Sequence, residues 1–289
     1  MLTVTIGITK EQFDKLLKKF RIEENRLWWQ KAYSFIRIRK VGGGRKAKIK
    51  TSSEKLFFIL FYYKNYPTFG LMQSIFELDI ANIYRLVRFL EQALWRSLGH
   101  QLKLPKKKIK ILSKLLEIHP DFKNCIVDAT ERRINKPKYN QEFYYSGKKK
   151  YHTIKNQVVT DPKTTKILHV SKTVEGKKHD KKLFEDTGVA LRAPPKSKIL
   201  ADLGYQGSEN INPLIQIIYP YKKPRKGELT DIQKEENRLI SSVRVKGEHP
   251  FAYMKHFNIL KNIFRSNPKY SNLPFHTIAA LYNSTRPNC

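Results

Sequence analysis

The sequence predicts an α/β chain: an all-α amino-terminal part that includes a helix-turn-helix segment, followed by a mixed five-stranded sheet with flanking helices. Two observations predict it. Up to about residue 120 apolar residues recur at helical spacing, as in Phe13, Leu16, Leu17 and Phe20; beyond it the period shortens to that of strands. Two apolar runs, "NCIVDATE" and "KILADLGYQG", each end on an aspartate. Three regions follow: 1–50, a helical segment with a basic glycine-rich linker; 51–105, the helix-turn-helix; and 106–289, the sheet domain.

Residues 9–40 read as helix, with Thr9 and Gln12 as a capping box. The next stretch, "RKVGGGRKAKIK", has three consecutive glycines, but Arg45, Lys46 and Ala47 follow where a phosphate-binding loop needs Lys-Ser/Thr. It reads as a basic linker, with Arg45 and Lys46 set to touch DNA backbone. Residues 53–90 read as three helices capped by Ser53, Thr68 and Asp79. In the third, Ile83, Leu86, Val87 and Leu90 form one stripe, and Asn82, Arg85 and Arg88 are expected on the opposite face. A short helix, a tight turn and a second helix with polar and basic residues outward is the pattern of a DNA-reading element. Residues 106–116 read as a further helix through Ile109, Leu112, Leu115 and Leu116.

"NCIVDATERRI" reads as the first strand. "EFYYSGKKKYHTIKNQVVTD" reads as two strands joined at Ser146-Gly147, and "KILHVSKTVEG" as another strand. "HDKKLFEDTG" is a short helix capped at Asp180 and stopped by Gly188. "SKILADLGYQG" and "QIIYPYKK" are strands, and a long helix opens at Thr230 or Asp231. Strands 1–2–3, helix, strand 4, helix, strand 5, helix is the order of the ribonuclease-H-like fold.

Composition sets the partner. Lys+Arg number 57 against Asp+Glu 25, the net charge is +32 and the pI is about 10.0. A polyanion is implied, nucleic acid first and an anionic membrane surface second; a merely structural basic protein is the bland reading. "LFFILFYY" is too short to span a bilayer. The amino terminus lacks the basic-then-apolar order of a secretory signal, and Cys125 and Cys289 make no disulfide framework or zinc spacing. These features fit a cytoplasmic, nucleoid-associated protein.

In so basic a chain the carboxylates at strand ends call for explanation. Asp128 and Asp202 close the first and fourth strands, which are neighbours in that topology, and Glu248 lies on the last helix. Alone, each has a plain reading as a turn former or ion-pair partner. Together, three convergent carboxylates can hold two magnesium ions for phosphodiester chemistry, with manganese as a substitute. Ser241, Arg244, Glu248 and Lys255 fall on one helical stripe, which puts Arg244 and Lys255 beside phosphates flanking such a site. Gly247 and Pro250 predict a kink or a restart near Glu248. Phe251, Met254 and Phe257 are expected against the sheet. Tyr205, with Gln206 and Gly207, is expected at the mouth of the site in contact with DNA. His179-Asp180 reads as a helix start rather than a metal site.

At these residues the chain resembles the DDE-superfamily transposases of bacterial insertion sequences, in the branch related to Harbinger-type transposases. "VDATE" places the family's first aspartate on Asp128, and "ADLGYQG" its second on Asp202. Arg, three residues, Glu, six residues and Lys fall on Arg244, Glu248 and Lys255. Gly176, His179 and Asp180 match a further "GxxHD" stretch, whereas Ser241 stands where a related pattern has tyrosine. The resemblance implies a magnesium-dependent recombinase. It would bind terminal inverted repeats, cut element ends and join 3′-hydroxyls to target DNA as a homo-oligomer. Two alternatives remain open: an inactive or repurposed DNA-binding protein on the same fold, and a ribonuclease-H-like nuclease without strand transfer.

Overall fold

The computed structural model describes residues 2–33, 46–98 and 124–286. The glycine-rich linker with Arg45, the expected helix at 106–116 and Cys289 lie outside the described residues. The chain divides into two compact units, one helical and one built on the sheet.

The helical unit contains α1 (Leu2–Ile6), α2 (Lys10–Ala32), α3 (Ser52–Asn65), α4 (Phe69–Phe76) and α5 (Ile80–Leu98). Thr9 and Gln12 form the expected capping box on α2. On α3 the cap is Thr51 rather than Ser53, because Glu54 stands three residues later and its carboxylate accepts from the Thr51 N–H. Thr68 caps α4, and the Asp79 carboxylate accepts from the Ala81 N–H at the start of α5. Between α4 and α5 the chain turns through Glu77, which takes the left-handed conformation (φ 50°) that glycine usually fills. Phe20, Leu56, Phe58, Tyr63, Met72, Ile83 and Leu90 form the buried core. Two elements from inside the range 106–289 also pack here: α10 (Asn258–Lys261) and α11 (Asn272–Ser284) from Leu273 onward. Phe257 is buried in this unit, facing Gly7 and under the Lys64 ammonium, and not against the sheet as expected. The polypeptide has already changed units at Lys255.

The sheet unit contains β1 (Asn124–Arg133), α6 (Gln141–Tyr144), β2 (Tyr145–Ser146), β3 (Tyr151–Thr160), β4 (Ile167–Val170), β5 (Val174–Glu175), α7 (Asp180–Thr187), α8 (Val189–Arg192), β6 (Lys198–Leu200), β7 (Gln216–Ile218) and α9 (Asp231–Lys255). The sheet has seven strands rather than five, in the path β2-β3-β1-β6-β7, with β4 and β5 also on β3. The difference lies at one edge. The long strand β3 is antiparallel to β1, and three short strands share its outer side: β2 at Tyr151 and His152, β5 at Ile154 and Lys155, β4 at Val158–Thr160. β4 and β5 are the expected single strand, broken at Ser171–Thr173. There the Ser171 hydroxyl accepts from the Gln157 N–H, and the Asn156 amide donates to the Ser171 carbonyl. Glu142–Tyr144, expected as strand, lie in the helix α6, and strand begins only at Tyr145. Between β6 and β7 only the 3-10 turns Leu203–Tyr205 and Glu209–Ile211 are present, where a helix was expected.

The two faces of β1 are used differently. Cys125 and Val127 point into a core with Val159, Phe184, Val189 and Ile199, which α7 and α8 cover. Alternate residues point oppositely, so Ile126 and Asp128 look to the other face. There α9 approaches so closely that a Cβ on Gly247 would lie 2.8 Å from Ile126 Cγ2. α9 runs unbroken from Asp231 through Gly247 and Pro250, where a restart was expected. Gly247 is required for this approach, and Pro250 has no N–H to give the carbonyl four residues back, a loss the continuous helix tolerates. Thr230, paired with Gln233, caps α9. No helix among the described residues is long and apolar enough to cross a membrane.

Candidate active site

β1 and β6 run parallel, with Asn124, Cys125 and Ile126 opposite Lys198, Ile199 and Leu200. Two residues further on, Asp202 lies just past the end of β6, while Asp128 stands within β1 and not at its end as expected; Asp202 is near enough to act on Asp128. Strands in a sheet lie about 4.8 Å apart, so the two carboxylates share one site. Each is oriented by its own backbone: Asp128 Oδ1 accepts from the Ala129 N–H and Asp202 Oδ1 from the Leu203 N–H, both at 2.8 Å. Arg244, one α9 turn before Glu248, sets its guanidinium 3.6 Å from Asp202 Oδ1.

Burial pushes the Asp128 carboxyl above its ordinary range; its bond from Ala129 and the Arg244 charge oppose this, while Asp202 and Asp180 add to it. Glu248 is exposed on α9, one residue after the glycine pressed on Ile126. Among the described residues no three carboxylate, histidine or cysteine side chains stand close enough to hold a metal ion, so Glu248 does not complete a set with the aspartates. The Asp128–Asp202 pair nonetheless suits a hard divalent cation. Its donors are all oxygen, and a cation favours the charged form of a carboxylate that burial, with the neighbouring aspartates, disfavours.

A fourth carboxylate, Asp180, was read from sequence as a helix cap rather than a metal site and as part of the "GxxHD" stretch. Asp180 is the first residue of α7, behind the N-cap His179, and lies near enough to act on both Asp128 and Tyr205. It is held by Lys155, a buried β3 residue whose ammonium lies 2.9 Å from Asp180, 3.6 Å from Glu131 and 2.7 Å from the Lys178 carbonyl. Lys155 was missed, although a lysine inside the apolar run of β3 was a signal that its charge has a buried partner. Gly176 fits the same corner: a Cβ there would fall 1.8 Å from Thr153 Oγ1.

Other expected residues are placed differently. Tyr205 does not line the mouth. Its 3-10 turn directs the ring into the core, edge-on to Phe184, and it is 1 % exposed. Burial, with Asp180, Asp128 and Asp202 nearby, raises its hydroxyl well above the ordinary range. Lys255 ends α9 and groups with the helical unit. On α5, Asn82 and Arg85 are exposed and bonded to each other at 3.0 Å. Arg88 is turned inward, its guanidinium 3.1 Å from buried Glu91 and over the Tyr84 ring. Lys46 is exposed.

Residues 127–283 match the family described as DDE superfamily endonuclease. The chain is 30% identical over 277 residues to a probable transposase for insertion sequence element IS702 of Microchaete diplosiphon, covering 96% of this chain and 91% of that one. It is 32% identical over 108 residues to a putative transposase for insertion sequence element IS112 of Streptomyces albus G, covering 37% of this chain and 39% of that relative.

Proposed function

The chain belongs to the DDE superfamily of endonucleases as a transposase of an insertion sequence, and from that premise we propose how it acts. It binds the terminal inverted repeats of its element, hydrolyses a phosphodiester bond at each end and joins the freed 3′-hydroxyls to target DNA. What supports this reading is the parallel pairing of β1 with β6 up to Ile126 and Leu200, each two residues before an aspartate, with the Arg244 guanidinium beside Asp202. Asp128 and Asp202 hold divalent cations, magnesium by preference, and Glu248 joins them from α9 when DNA and metal are present. Bound cations there supply an acidified water and charge stabilisation at the leaving oxygen.

The chain's own residues do the rest. Arg244 balances the aspartates and offers a planar fork of donors to the phosphate beside the scissile bond. Lys255 offers a further ammonium to DNA phosphates. Lys155 fixes Asp180, so the negative field at the site keeps one geometry. α4 and α5 read the ends through Asn82 and Arg85, with Lys46 on the backbone. Two ends are cut in concert by a homo-oligomer.

The test is a cleavage and strand-transfer assay on linear DNA carrying the element's ends, with magnesium or with chelator. Asp202→Asn is expected to bind the ends as wild type does and to lose both nicking and joining. Nicking by that variant at the wild-type rate refutes the metal assignment. Tight binding without nicking by the wild type favours the inactive DNA-binding alternative.

A further inference from the structure

Five residues beyond Asp128, β1 ends at Arg133, whose register partner Thr153 lies near the start of β3. The segment that joins the two strands, residues 133–152, holds six lysines and arginines against one acidic residue, Glu142, and five aromatic side chains. Three of those rings are open to solvent: Tyr139 is 72 % exposed, Phe143 52 % and Tyr145 43 %. The hairpin tip carries exposed Lys148, Lys149 and Lys150 around Gly147, whose surroundings are open space.

This display is fixed in place. Lys150 donates its N–H to the Ser146 carbonyl at 2.7 Å, and Lys149 donates to the Ser146 hydroxyl at 3.2 Å. Lys177 donates to the Phe143 carbonyl at 3.1 Å, tying α6 to the segment after β5. Exposed rings held by backbone bonds beside a lysine cluster, with Tyr145 edge-on to His152 and Tyr139 beneath the Lys138 ammonium, match the chemistry of an unpaired nucleic-acid strand. Bases stack on the rings while lysines take the phosphates. A duplex offers phosphates but keeps its base faces stacked internally, so it would use the lysines and leave the rings idle.

We propose that the β2–β3 hairpin with α6 is a binding site for single-stranded DNA, seating the strand splayed from the duplex near the cut. The inference rests on the DNA-processing reading above and adds a location to it. At about 3.3 Å per residue, five residues of β1 span roughly 17 Å. That equals about five stacked nucleotides at 3.4 Å each. Tyr145 pairs with His152, one residue further and on the other side of β3, so the seated bases lie more than about five nucleotides from the scissile bond.

The experiment uses the full chain with chelator present, so that cutting plays no part. Fluorescence anisotropy is measured with a labelled single strand, its duplex and a fork of the element's end. Phe143→Ala/Tyr145→Ala is expected to weaken single-strand and fork binding about tenfold or more and to change duplex binding less than twofold. Phe143→Tyr/Tyr145→Phe keeps the rings and is expected to retain wild-type affinity. Lys148→Ala/Lys149→Ala/Lys150→Ala is expected to weaken all three DNAs and to flatten the salt dependence. Equal losses on duplex and single strand, or no loss in the ring-removing variant, overturn the proposal. So does a change in oligomer mass in that variant, which makes the rings a protein contact. A wild-type chain that binds none of the three DNAs overturns the underlying reading as well, which separates the two failures.

Discussion

Replacing Gly247 with alanine adds one methyl group at the point where α9 leans on β1. That methyl would start 2.8 Å from Ile126 Cγ2, whereas carbon atoms rest at about 3.5–4.0 Å. The helix must therefore retreat by roughly 1 Å. Overpacking of this kind costs about 1–3 kcal/mol. Alanine in a helix returns about 1 kcal/mol relative to glycine, so the net loss expected in a urea melt is about 1 kcal/mol. The effect on chemistry is larger. Glu248 follows directly on α9, and a 1 Å displacement of a catalytic group can cost about 10²-fold in rate. The signature is thus a protein that melts almost normally and cuts end-bearing DNA about a hundredfold more slowly in single turnover. Ile126→Ala removes the clashing carbon, so in that background Gly247→Ala is expected to be neutral or stabilising. If it costs the same in both backgrounds, or if cleavage is unchanged, the close approach does not position Glu248.

Three further outcomes follow from the same geometry. Lys155→Met leaves Glu131 and Asp180 without their shared cation, which is expected to destabilise the sheet unit by about 3 kcal/mol in a denaturant melt; no change would mean the charges find other partners. Glu91 is pushed up to about 7, chiefly by burial, with Arg88 and Tyr63 opposing. A carboxyl raised on folding binds a proton more tightly in the native state, so its stabilising contribution is full below the ordinary value of 4.5. It falls as pH rises towards 7, by an amount on the order of 3 kcal/mol. Melts from pH 4 to 8 are expected to show that decline in wild type and a flatter profile in Glu91→Gln; identical profiles would refute it. Arg85→Ala is expected to weaken binding to the element's ends at fixed moderate salt, and unchanged affinity moves the reading surface off α5.

What the sequence showed plainly is what neighbouring residues decide among themselves. Thr9 with Gln12, Thr68, Gly188 and Thr230 mark helix ends by hydrogen bonds or backbone conformations only a few residues long. The apolar runs before Asp128 and Asp202 were legible as strands, and parallel pairing sets those runs side by side. What escaped depends on residues far along the chain. The Ser171 break answers to Asn156 and Gln157. The inward turn of Tyr205 answers to Phe184. Gly247 looked like a helix breaker because the sequence does not show Ile126 lying beside it. Arg88 followed the polar stripe of α5, yet it turns inward to a glutamate three residues on that is itself buried. Periodicity finds the apolar face but does not say which polar residue is drawn under it.

The site depends on β1 holding one register. A slip of one residue would send Asp128 into the Phe184 core and bring Val127 to the face of the candidate site, because alternate residues point oppositely. Three contacts oppose that slip from different directions. Cys125 and Val127 are buried in the core under α7. On the opposite face Ile126 meets Gly247, and no other residue type allows that approach. Further along, Glu131 stands opposite Lys155, which also holds Asp180. The lysine therefore couples two tasks: it fixes the register that points Asp128 outward and it anchors the helix that brings a further negative charge to the same place. Charge-preserving Lys155→Arg separates them. If register alone matters, the planar guanidinium still meets Glu131 and cleavage survives. If the placement of Asp180 matters as well, its longer reach displaces α7, and cutting falls while the melt holds.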